Sequence, residues 1–241
     1  VALVDTVDIC YFEVYLRKIK QVIGERPINY LIINHMEPDH SGSIRLIKQH
    51  YPEIIIVGNK QTFGMIEGFY GVTGEQYLVK EGDFLALGHH KLRFYMTPMV
   101  HWPETMMTFD ETDGVLFSGD GFGCFGTVDG GFLDTRINVD KYWGEMVRYY
   151  SNIVGKYGSP VQKALQKLGG LPISAICSTH GPVWTENIAK VIGIYDRLSR
   201  YDADEGVVIA YGSMYGNTEQ MAEAIAEELS AQGVKNIVMH N

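Results

Sequence analysis

The first part of the chain alternates between apolar, strand-like runs and segments with helical spacing. We predict a buried strand in NYLIIN and further strands in VALVDTV and PEIIIVGN, because short continuous apolar runs between polar loops are typical of strands. The segment IRLIKQHY has the spacing of a helix, with Ser41 predicted as its N-cap, and KQTFGMIEGFYG predicts a short helix closed by glycine.

The pattern changes near residue 75 to short strand pieces that are separated by turns. The segments DFLALG, HKLRFYMTPM, ETMMTFD and DGVLFSGD predict a hairpin-rich sheet. Helices are predicted over 140–157 and 160–168, ISAICSTHG predicts a strand and a loop, and NIAKVIGIYDRLSRY predicts another helix.

A short polar stretch, DADEG at 202–206, predicts a linker between two domains. The sequence after it, VVIAYGSMYGNTEQMAEAIAEEL and then VKNIVMH, predicts a strand, a glycine-containing loop, a helix and a second strand, which is the beginning of a βαβ unit. We therefore expect one domain over 1–201 and the start of another over 207–241. Because both ends of the chain fall at strand patterns, we interpret it as a fragment truncated at both ends.

Composition and charge exclude several classes of protein. The chain has 241 residues, of which 46% are hydrophobic and 12% aromatic, and this excludes a disordered chain. No window approaches the roughly 18 consecutive apolar residues of a membrane span. The net charge of −9 argues against nucleic-acid binding, which needs clustered Lys and Arg. Three scattered cysteines suit a reducing compartment, so we predict a cytoplasmic protein.

Four potential metal ligands fall within six residues, directly after the run NYLIIN: His35, Glu37, Asp39 and His40. Alternate side chains of extended backbone point the same way, so the first three can converge on one side. His40 can join them if the loop turns there. The alternative interpretation is a solvated loop near a helix start.

Three further candidates, His101, Asp120 and His180, each follow an apolar strand-like run elsewhere in the chain. Together these positions fit a site on one rim of a β-sandwich. Six or seven nitrogen and oxygen ligands are too many for one ion and fit a pair of ions bridged by a carboxylate. Because the set is rich in carboxylates and has no thiolate, it favours iron or manganese, while ligand type alone leaves zinc open.

The order H-x-E-x-D-H, followed by a histidine, an aspartate and a histidine at wide spacing, resembles the diiron domain of the flavodiiron proteins (A-type flavoproteins). Related metallohydrolases carry H-x-H-x-D-H, with histidine where this chain has Glu37. The resemblance extends over HWPETM, SGDGFGCFG, STHGPVW and the strand that opens the second domain. It implies an α/β chain: a metallo-β-lactamase-like αββα sandwich, followed by the first βαβ of a flavodoxin-like doubly wound domain.

The resemblance also implies roles for the candidate ligands. One iron is expected on His35, Glu37 and His101, and the other on Asp39, His180 and, variably within the family, His40. Asp120 is expected to bridge the two ions. Tyr150 resembles a tyrosine that lies just outside the iron ligands in this family, and its alternative interpretation is an aromatic residue of the core.

The loop of the second domain resembles the FMN-phosphate loop of flavodoxins. The N–H groups of a helix N-terminus, together with Ser and Thr hydroxyls, form an anion site, although a plain turn is the alternative. The loops that would hold the flavin ring lie further on, so we expect this fragment to bind FMN poorly. The residues implied are Ser213, Met214, Tyr215, Gly216, Asn217 and Thr218.

The resemblance implies an oxidoreductase that reduces dioxygen to water, nitric oxide to nitrous oxide, or both, with electrons delivered through FMN. The expected partners are a rubredoxin-like or flavin-reductase donor and a second subunit, in a head-to-tail homodimer or a dimer of dimers. The first alternative is a dinuclear metal hydrolase of the metallo-β-lactamase or glyoxalase II type, against which Glu37 and the flavodoxin start argue. The second is a non-catalytic flavin electron carrier, for which the metal residues would be superfluous.

Overall fold

The structure, a computed structural model, describes residues 1–128 and 130–241. The chain divides into two compact units, Val1–Tyr201 and Asp202–Asn241. The first unit contains two sheets and most of the helices, whereas the second contains two strands and one helix. Among the described residues, no helix is both long and apolar enough to cross a membrane.

The first sheet has four strands that run parallel, in the order β1-β2-β3-β4. Parallel strands are usually buried on both faces, which explains why these strands lie in continuous apolar runs rather than in alternating ones. Its members are β1 (Ala2–Val4), β2 (Tyr30–Ile32), β3 (Ile55–Gly58) and β4 (Gln76–Leu78).

The second sheet has six strands and begins as the antiparallel hairpins that the sequence predicts. Successive strands from β5 to β8 pair in antiparallel fashion, β9 then adds parallel to β8, and β10 closes the edge. The strands are β5 (Phe84–Leu87), β6 (His90–Met96), β7 (Met106–Asp110), β8 (Val115–Gly119), β9 (Ala175–Ser178) and β10 (Val183–Trp184).

Seven α-helices belong to the described part of the first unit. The helix predicted over 140–157 ends earlier, and a 3₁₀ turn at Gly155–Tyr157 separates it from the next one. Gly155 and Gly158 flank this break, and glycine has a low helix propensity. Gly158 also packs closely against a neighbouring segment, since a Cβ there would lie only 2.4 Å from the Ser199 carbonyl oxygen. The helices are α1 (Phe12–Ile23), α2 (Pro38–Ser41), α3 (Ile44–His50), α4 (Lys60–Tyr70), α5 (Asp140–Ile153), α6 (Gly158–Leu168) and α7 (Ile188–Ser199).

Side chains on opposite faces of the strands build three separate apolar layers. Leu31 and Ile33 belong to the cluster under α1, α3 and α4, while Ile32 between them packs toward the second sheet, against residues such as Phe94. The other face of the second sheet packs on α5, α6 and α7. This alternation is the period-two geometry of a strand. It produces the αββα sandwich, so the predicted α/β fold is confirmed.

The second unit is a βαβ unit. Its two strands, β11 (Val207–Ala210) and β12 (Ile237–His240), pair in parallel and are connected by α8 (Asn217–Ala231). A parallel pair requires a crossover connection, and the helix supplies it.

Asp134 ties the segment after β8 to the segment after β10. Its carboxylate accepts hydrogen bonds from the backbone N–H of Thr185, Glu186 and Asn187, and from the side chains of Thr185 and Asn187. Burial opposes ionisation, but these hydrogen bonds outweigh it and lower the pKa of Asp134. The carboxylate therefore satisfies N–H groups at the start of α7.

Asp134→Ala should destabilise the first unit by about 2 kcal/mol, because several partly buried donors lose a charged acceptor. A carboxyl with a lowered folded pKa contributes stability that is complete above its unfolded pKa and is lost as the pH falls through the folded value. The difference between variant and wild type should therefore shrink in acid, as measured by urea unfolding at neutral pH and near pH 3. Glu53→Gln, at an exposed position, should match wild type throughout. An Asp134→Ala protein with wild-type stability at neutral pH would contradict this role.

Candidate metal centre

The seven predicted ligands lie together at one rim of the sandwich. They divide into two groups whose ligand atoms lie within 4.8 Å of one another, and the groups share the neighbourhood of Asp120. Most of them stand in loops that follow a strand, whereas Asp39 and His40 belong to the short helix α2, which follows β2. The first group is His35, Glu37, His101 and Asp120, and the second is Asp39, His40 and His180.

In the first group, two imidazole nitrogens face two carboxylate oxygens. His101 Nε2 lies 3.0 Å from Glu37 Oε2 and 2.9 Å from Asp120 Oδ2. His35 Nε2 lies 3.4 Å from the same Glu37 oxygen and 3.5 Å from the same Asp120 oxygen. Each nitrogen therefore faces both carboxylates, which leaves one small common volume between them.

The second group repeats this arrangement around the other oxygen of Asp120. His40 Nε2 and His180 Nε2 lie 2.9 Å and 3.2 Å from Asp120 Oδ1. The same two nitrogens lie 3.5 Å and 3.2 Å from Asp39 Oδ2. Asp120 therefore presents one oxygen to each group, which is the geometry of a bridging ligand.

These separations are also those expected between ligand atoms that share a metal ion. Two atoms that each lie about 2.1 Å from one ion are roughly 3.0–3.4 Å apart at octahedral to tetrahedral angles. The nitrogen–oxygen distances of both groups run from 2.9 to 3.5 Å. Two buried atoms of the second group, Asp39 Oδ1 and His40 Nε2, have no hydrogen-bond partner. The donor set and the orphaned atoms thus fit a pair of cations.

A short helix turns the H-x-E-x-D-H segment so that His40 joins the other ligands. Helix α2 begins with Pro38 at its first position, where the missing N–H is harmless. Ser41, predicted as the N-cap of α3, is instead the last residue of α2, and Ser43 takes the N-cap position. The reason is that the Ser41 hydroxyl donates back to the Met36 carbonyl, 2.7 Å away, and holds the ligand loop closed.

The carboxylates of the rim raise the pKa values of the imidazoles that face them. Burial opposes protonation of His101, but Asp120 and Glu37 raise its pKa to about 9, and Asp120 and Asp39 raise that of His180 to about 9. For His40, Asp120 and Asp5 overcome burial and raise the pKa to about 11. In return, hydrogen bonds with His101 and His35 lower the pKa of Glu37 to about 2.

The ligands differ in exposure according to which side of the rim they occupy. The side chains of His35, His40 and Asp120 are 1–3% exposed, whereas those of Glu37, Asp39 and His180 are 37–40% exposed. The inner ligands are consequently fixed by packing, and the outer ones border solvent.

Two buried carboxylates behind the histidines escaped the sequence analysis. Asp5, directly after β1, accepts hydrogen bonds from the backbone N–H of Asn34 and His35, and its Oδ2 lies 3.7 Å from His40 Nδ1. Glu104 accepts a hydrogen bond from His35 Nδ1 at 2.9 Å. Asp5 carries the same signal as Asp120, a carboxylate at the end of an apolar strand. Glu104 lies three residues after His101 in HWPETM, but nothing in that motif indicates that it contacts His35, which stands 69 residues earlier in the chain.

Of two adjacent tyrosines on α5, the structure places Tyr149 beside the metal centre. Its ring lies 5.6 Å from that of His180, and burial together with the charge of Asp120 raises the pKa of its hydroxyl far above the ordinary value. Tyr150, the predicted tyrosine, packs edge-on against Tyr195 at 5.0 Å within the core cluster. Its position matches the alternative interpretation as a core aromatic.

The predicted phosphate loop of the second unit leads directly into α8. Gly216 has a left-handed φ of 85°, and its N–H donates to the Ser213 hydroxyl at 3.0 Å, so the loop closes just before the helix starts at Asn217. Met214 and Tyr215 are 85% and 86% exposed at its tip. The first N–H groups of a helix have no partner within it, so this loop presents donors to an anion. Thr218, in the first turn, is exposed.

Comparison with known proteins agrees with this architecture. Residues 1–181 match the family described as ODP family beta lactamase, and residues 209–241 match the flavodoxin family. The solved structure of rubredoxin oxygen:oxidoreductase from Desulfovibrio gigas superposes with a TM-score of 0.92 and 30% identity, covering 99% of this chain and 60% of that one.

Among curated proteins, diflavin flavoprotein A 1 of Synechocystis sp. is 33% identical over 97% of this chain and 41% of its own length. The anaerobic nitric oxide reductase flavorubredoxin of Shigella dysenteriae is 32% identical over 95% of this chain and 48% of its own length. The chain thus spans less than half the length of these relatives. With a β-lactamase-like sandwich, a paired His and carboxylate rim and a flavodoxin start in one order, the chain belongs to the ODP family of β-lactamase-like proteins, among the flavodiiron proteins.

Proposed function

We propose that this chain is the diiron part of a flavodiiron oxidoreductase that reduces dioxygen to water, nitric oxide to nitrous oxide, or both. The observation that carries the proposal is the two-sided arrangement around Asp120, with one carboxylate oxygen for each of two ligand groups. In this proposal His35, Glu37 and His101 hold one ion, and Asp39, His40 and His180 hold the other. When bound, two non-haem irons and FMN supply the electrons for the reduction.

The charge of the ligand set supports iron rather than zinc. Glu37 places a third carboxylate in the set beside Asp39 and Asp120, and all three act as anionic oxygen donors to a pair of ions. Anionic donors stabilise an oxidised metal more than a reduced one, so the set favours ions that change oxidation state. The relatives described above are a diflavin flavoprotein, a nitric oxide reductase flavorubredoxin and a rubredoxin oxygen:oxidoreductase, and this supports the same assignment.

The residues around the ligands are proposed to leave a path for the gas, to cover the first ligand group and to place a hydroxyl group beside the rim. The outer ligands Glu37 and His180 border solvent, so a small gas molecule approaches from that side. Trp102 packs edge-on against His35 at 5.2 Å and covers the apolar flank of the first group. The Tyr149 ring lies beside that of His180, and its hydroxyl, whose pKa burial raises further above the ordinary value, stays protonated at neutral pH and is proposed as a hydrogen-bond donor at the rim.

The second unit is proposed to hold the FMN phosphate at the loop of Ser213 and Gly216. We propose a rubredoxin-type protein or a flavin reductase as the source of electrons, in line with the names of the flavorubredoxin and the rubredoxin oxygen:oxidoreductase. A head-to-tail homodimer would bring the flavin of one subunit to the metal pair of another.

The full-length protein should consume dioxygen or nitric oxide in anaerobically prepared assays with a chemically reduced rubredoxin. Elemental analysis should find about two irons per chain, and separate assays with each gas should rank the two substrates. A protein that contains two zinc ions, consumes neither gas and hydrolyses a thioester or a lactam would instead be a dinuclear hydrolase.

Metal uptake should release protons at neutral pH. His101 and His180 have pKa values of about 9, so both are protonated at pH 7 and must lose their protons to bind an ion. Affinity for Zn²⁺ should therefore rise with pH through about 9, where His101 and His180 lose their protons, and calorimetry of the metal-free protein in buffers of different ionisation enthalpy should detect proton release. His50→Gln, outside the rim, should release as many protons as wild type. Uptake without proton release at pH 7 would contradict the raised pKa values.

The same imidazoles make the stability of the metal-free protein depend on pH. Their folded pKa values lie above the unfolded value of about 6.5, so their contribution is complete below about pH 6.5 and is lost as the pH rises through about 9. Thermal unfolding of the metal-free protein should accordingly occur at a lower temperature at pH 9.5 than at pH 6.5. Equal melting temperatures at these two pH values would count against the pairing of imidazoles and carboxylates.

Glu37→His should lower the rate of gas consumption by a far larger factor than it affects the stability of the fold. The side chain is 38% exposed on a loop, so the sandwich tolerates the exchange, while the ligand set loses one of its three carboxylates. Metal content should shift from iron toward zinc, measured beside melting temperature and turnover with reduced donor. Glu67→His, on the exposed surface of α4, controls for adding a histidine. If the Glu37→His protein kept two irons and near-normal turnover, Glu37 would not determine metal choice.

A further inference from the structure

Glu104 is a fully buried carboxylate directly behind the first ligand group. Its side chain is 0% exposed, and among the described residues its ion-pair partner is His35. Burying a carboxylate costs free energy unless its oxygens are hydrogen-bonded or paired. Glu104 meets that condition at one oxygen only, since Oε2 is buried without a hydrogen-bond partner.

The satisfied oxygen has two neighbours, one of which is a backbone donor. Oε1 lies 2.9 Å from the Met36 N–H and 2.9 Å from His35 Nδ1. The backbone N–H can only donate, so Oε1 acts as an acceptor there, and an imidazole Nδ1 that approaches the same oxygen carries a proton. A neutral imidazole protonated at Nδ1 has its lone pair at Nε2. In His35 that atom faces Glu37 and Asp120.

Two hydrogen bonds hold the backbone of the segment that carries Glu104. The Asn59 side chain donates to the Glu104 carbonyl at 2.6 Å, and the same side chain caps α4 through its oxygen. Two residues further on, the Met106 N–H donates to the Asn34 carbonyl as β7 begins, one residue before His35 in the chain. The carboxylate is therefore fixed relative to the imidazole that it contacts.

We infer that Glu104 is a positioning residue that fixes His35 as its Nδ1–H tautomer and aims Nε2 at the ion of the first group. The inference rests on the proposed metal pair. It applies to one ion rather than to both, because the corresponding histidine of the second group is held differently. His40 Nδ1 lies 3.7 Å from Asp5 Oδ2, which has no hydrogen-bond partner, so no equivalent short contact orients it.

The test is a titration of the metal-free, full-length protein with Co²⁺ alone, followed by absorption, with thermal melting of each metal-free variant measured beside it. Glu104→Met keeps the approximate size of the side chain and removes the oxygen that accepts from His35 Nδ1. Binding of the first ion should therefore weaken ten- to a hundredfold, the range that is typical when a metal-binding residue loses the hydrogen bond that orients it. Binding of the second ion should change less than about threefold. Glu104→Gln keeps an oxygen acceptor and should restore most of the first ion's affinity.

Asp110 provides matched control variants, because it is also a buried carboxylate that accepts from a histidine Nδ1, that of His90 at 2.7 Å, in another part of the sandwich. Because His90, Asp110 and Asp113 lie close enough together to bind a cation, these variants also identify any Co²⁺ signal that arises there and not at the rim. Asp110→Asn and Asp110→Ala should leave the affinities of both ions at the rim unchanged. If Glu104→Met bound both ions as tightly as wild type, or weakened both equally, Glu104 would have only a structural role. If wild type failed to take up two ions, the proposed metal pair itself would be wrong, and the role of Glu104 with it.

A second measurement does not depend on whether Glu104→Met folds. Wild-type protein with nitrogen-15-labelled histidine and loaded with Zn²⁺ should show a slowly exchanging Nδ1–H on His35, with Nε2 shifted by the metal. Glu104→Gln should retain this resonance. A His35 that carries its proton on Nε2, or that binds the metal through Nδ1, would overturn the inference.

Discussion

One buried carboxylate shared by four imidazoles organises this molecule. Asp120 cannot be moved without separating the two ligand groups, because each of its oxygens faces histidines from different strands. Burial disfavours its charge, yet the histidines hold its pKa far below the ordinary value. The rim is therefore an electrostatic unit, in which anionic oxygens and cationic imidazoles keep one another ionised in the absence of metal.

The αββα architecture makes such a unit possible. Residues of β2 alternate between two apolar layers, so both faces of the strand are used for packing and only its end is free to carry polar groups. In β8 and β9 the buried residues Leu116 and Ile176 pack in the cluster under α5, α6 and α7, and the ends of these strands deliver Asp120 and approach His180. Chemistry is thus confined to loops, while the apolar layers fix where those loops begin.

Much of this arrangement could be predicted from the sequence, because its signals are local. An apolar run followed by His or Asp indicates both the strand and a polar residue at its end, and the seven residues proposed as ligands, which come from such runs and from the H-x-E-x-D-H cluster, do lie together at the rim. Asp5 carries the same signal but not the identity of its partner, and Glu104 and Asp134 carry no such signal. Their partners lie 30, 69 and 51 residues away, and no local pattern encodes a contact of that range.

The orientation of the two adjacent tyrosines on α5 could not be derived from the sequence, for a related reason. Successive residues on a helix point about 100° apart, so one side chain faces the rim when its neighbour faces the core. Which of the two faces the metal centre depends on how α5 packs against the second sheet. Here Tyr149 meets His180 and Tyr150 meets Tyr195.

The difference in exposure across the rim has a consequence for the order of assembly. The buried half, with His35, His40 and Asp120, is complete as soon as the sheets pack, whereas Glu37 and His180 remain accessible from outside. Ions can therefore enter a chain that has already folded, by exchanging with protons through the open half. Under the proposed metal pair, folding and metal loading are then separable events, because the accessible ligands can exchange protons for ions after the sheets have packed.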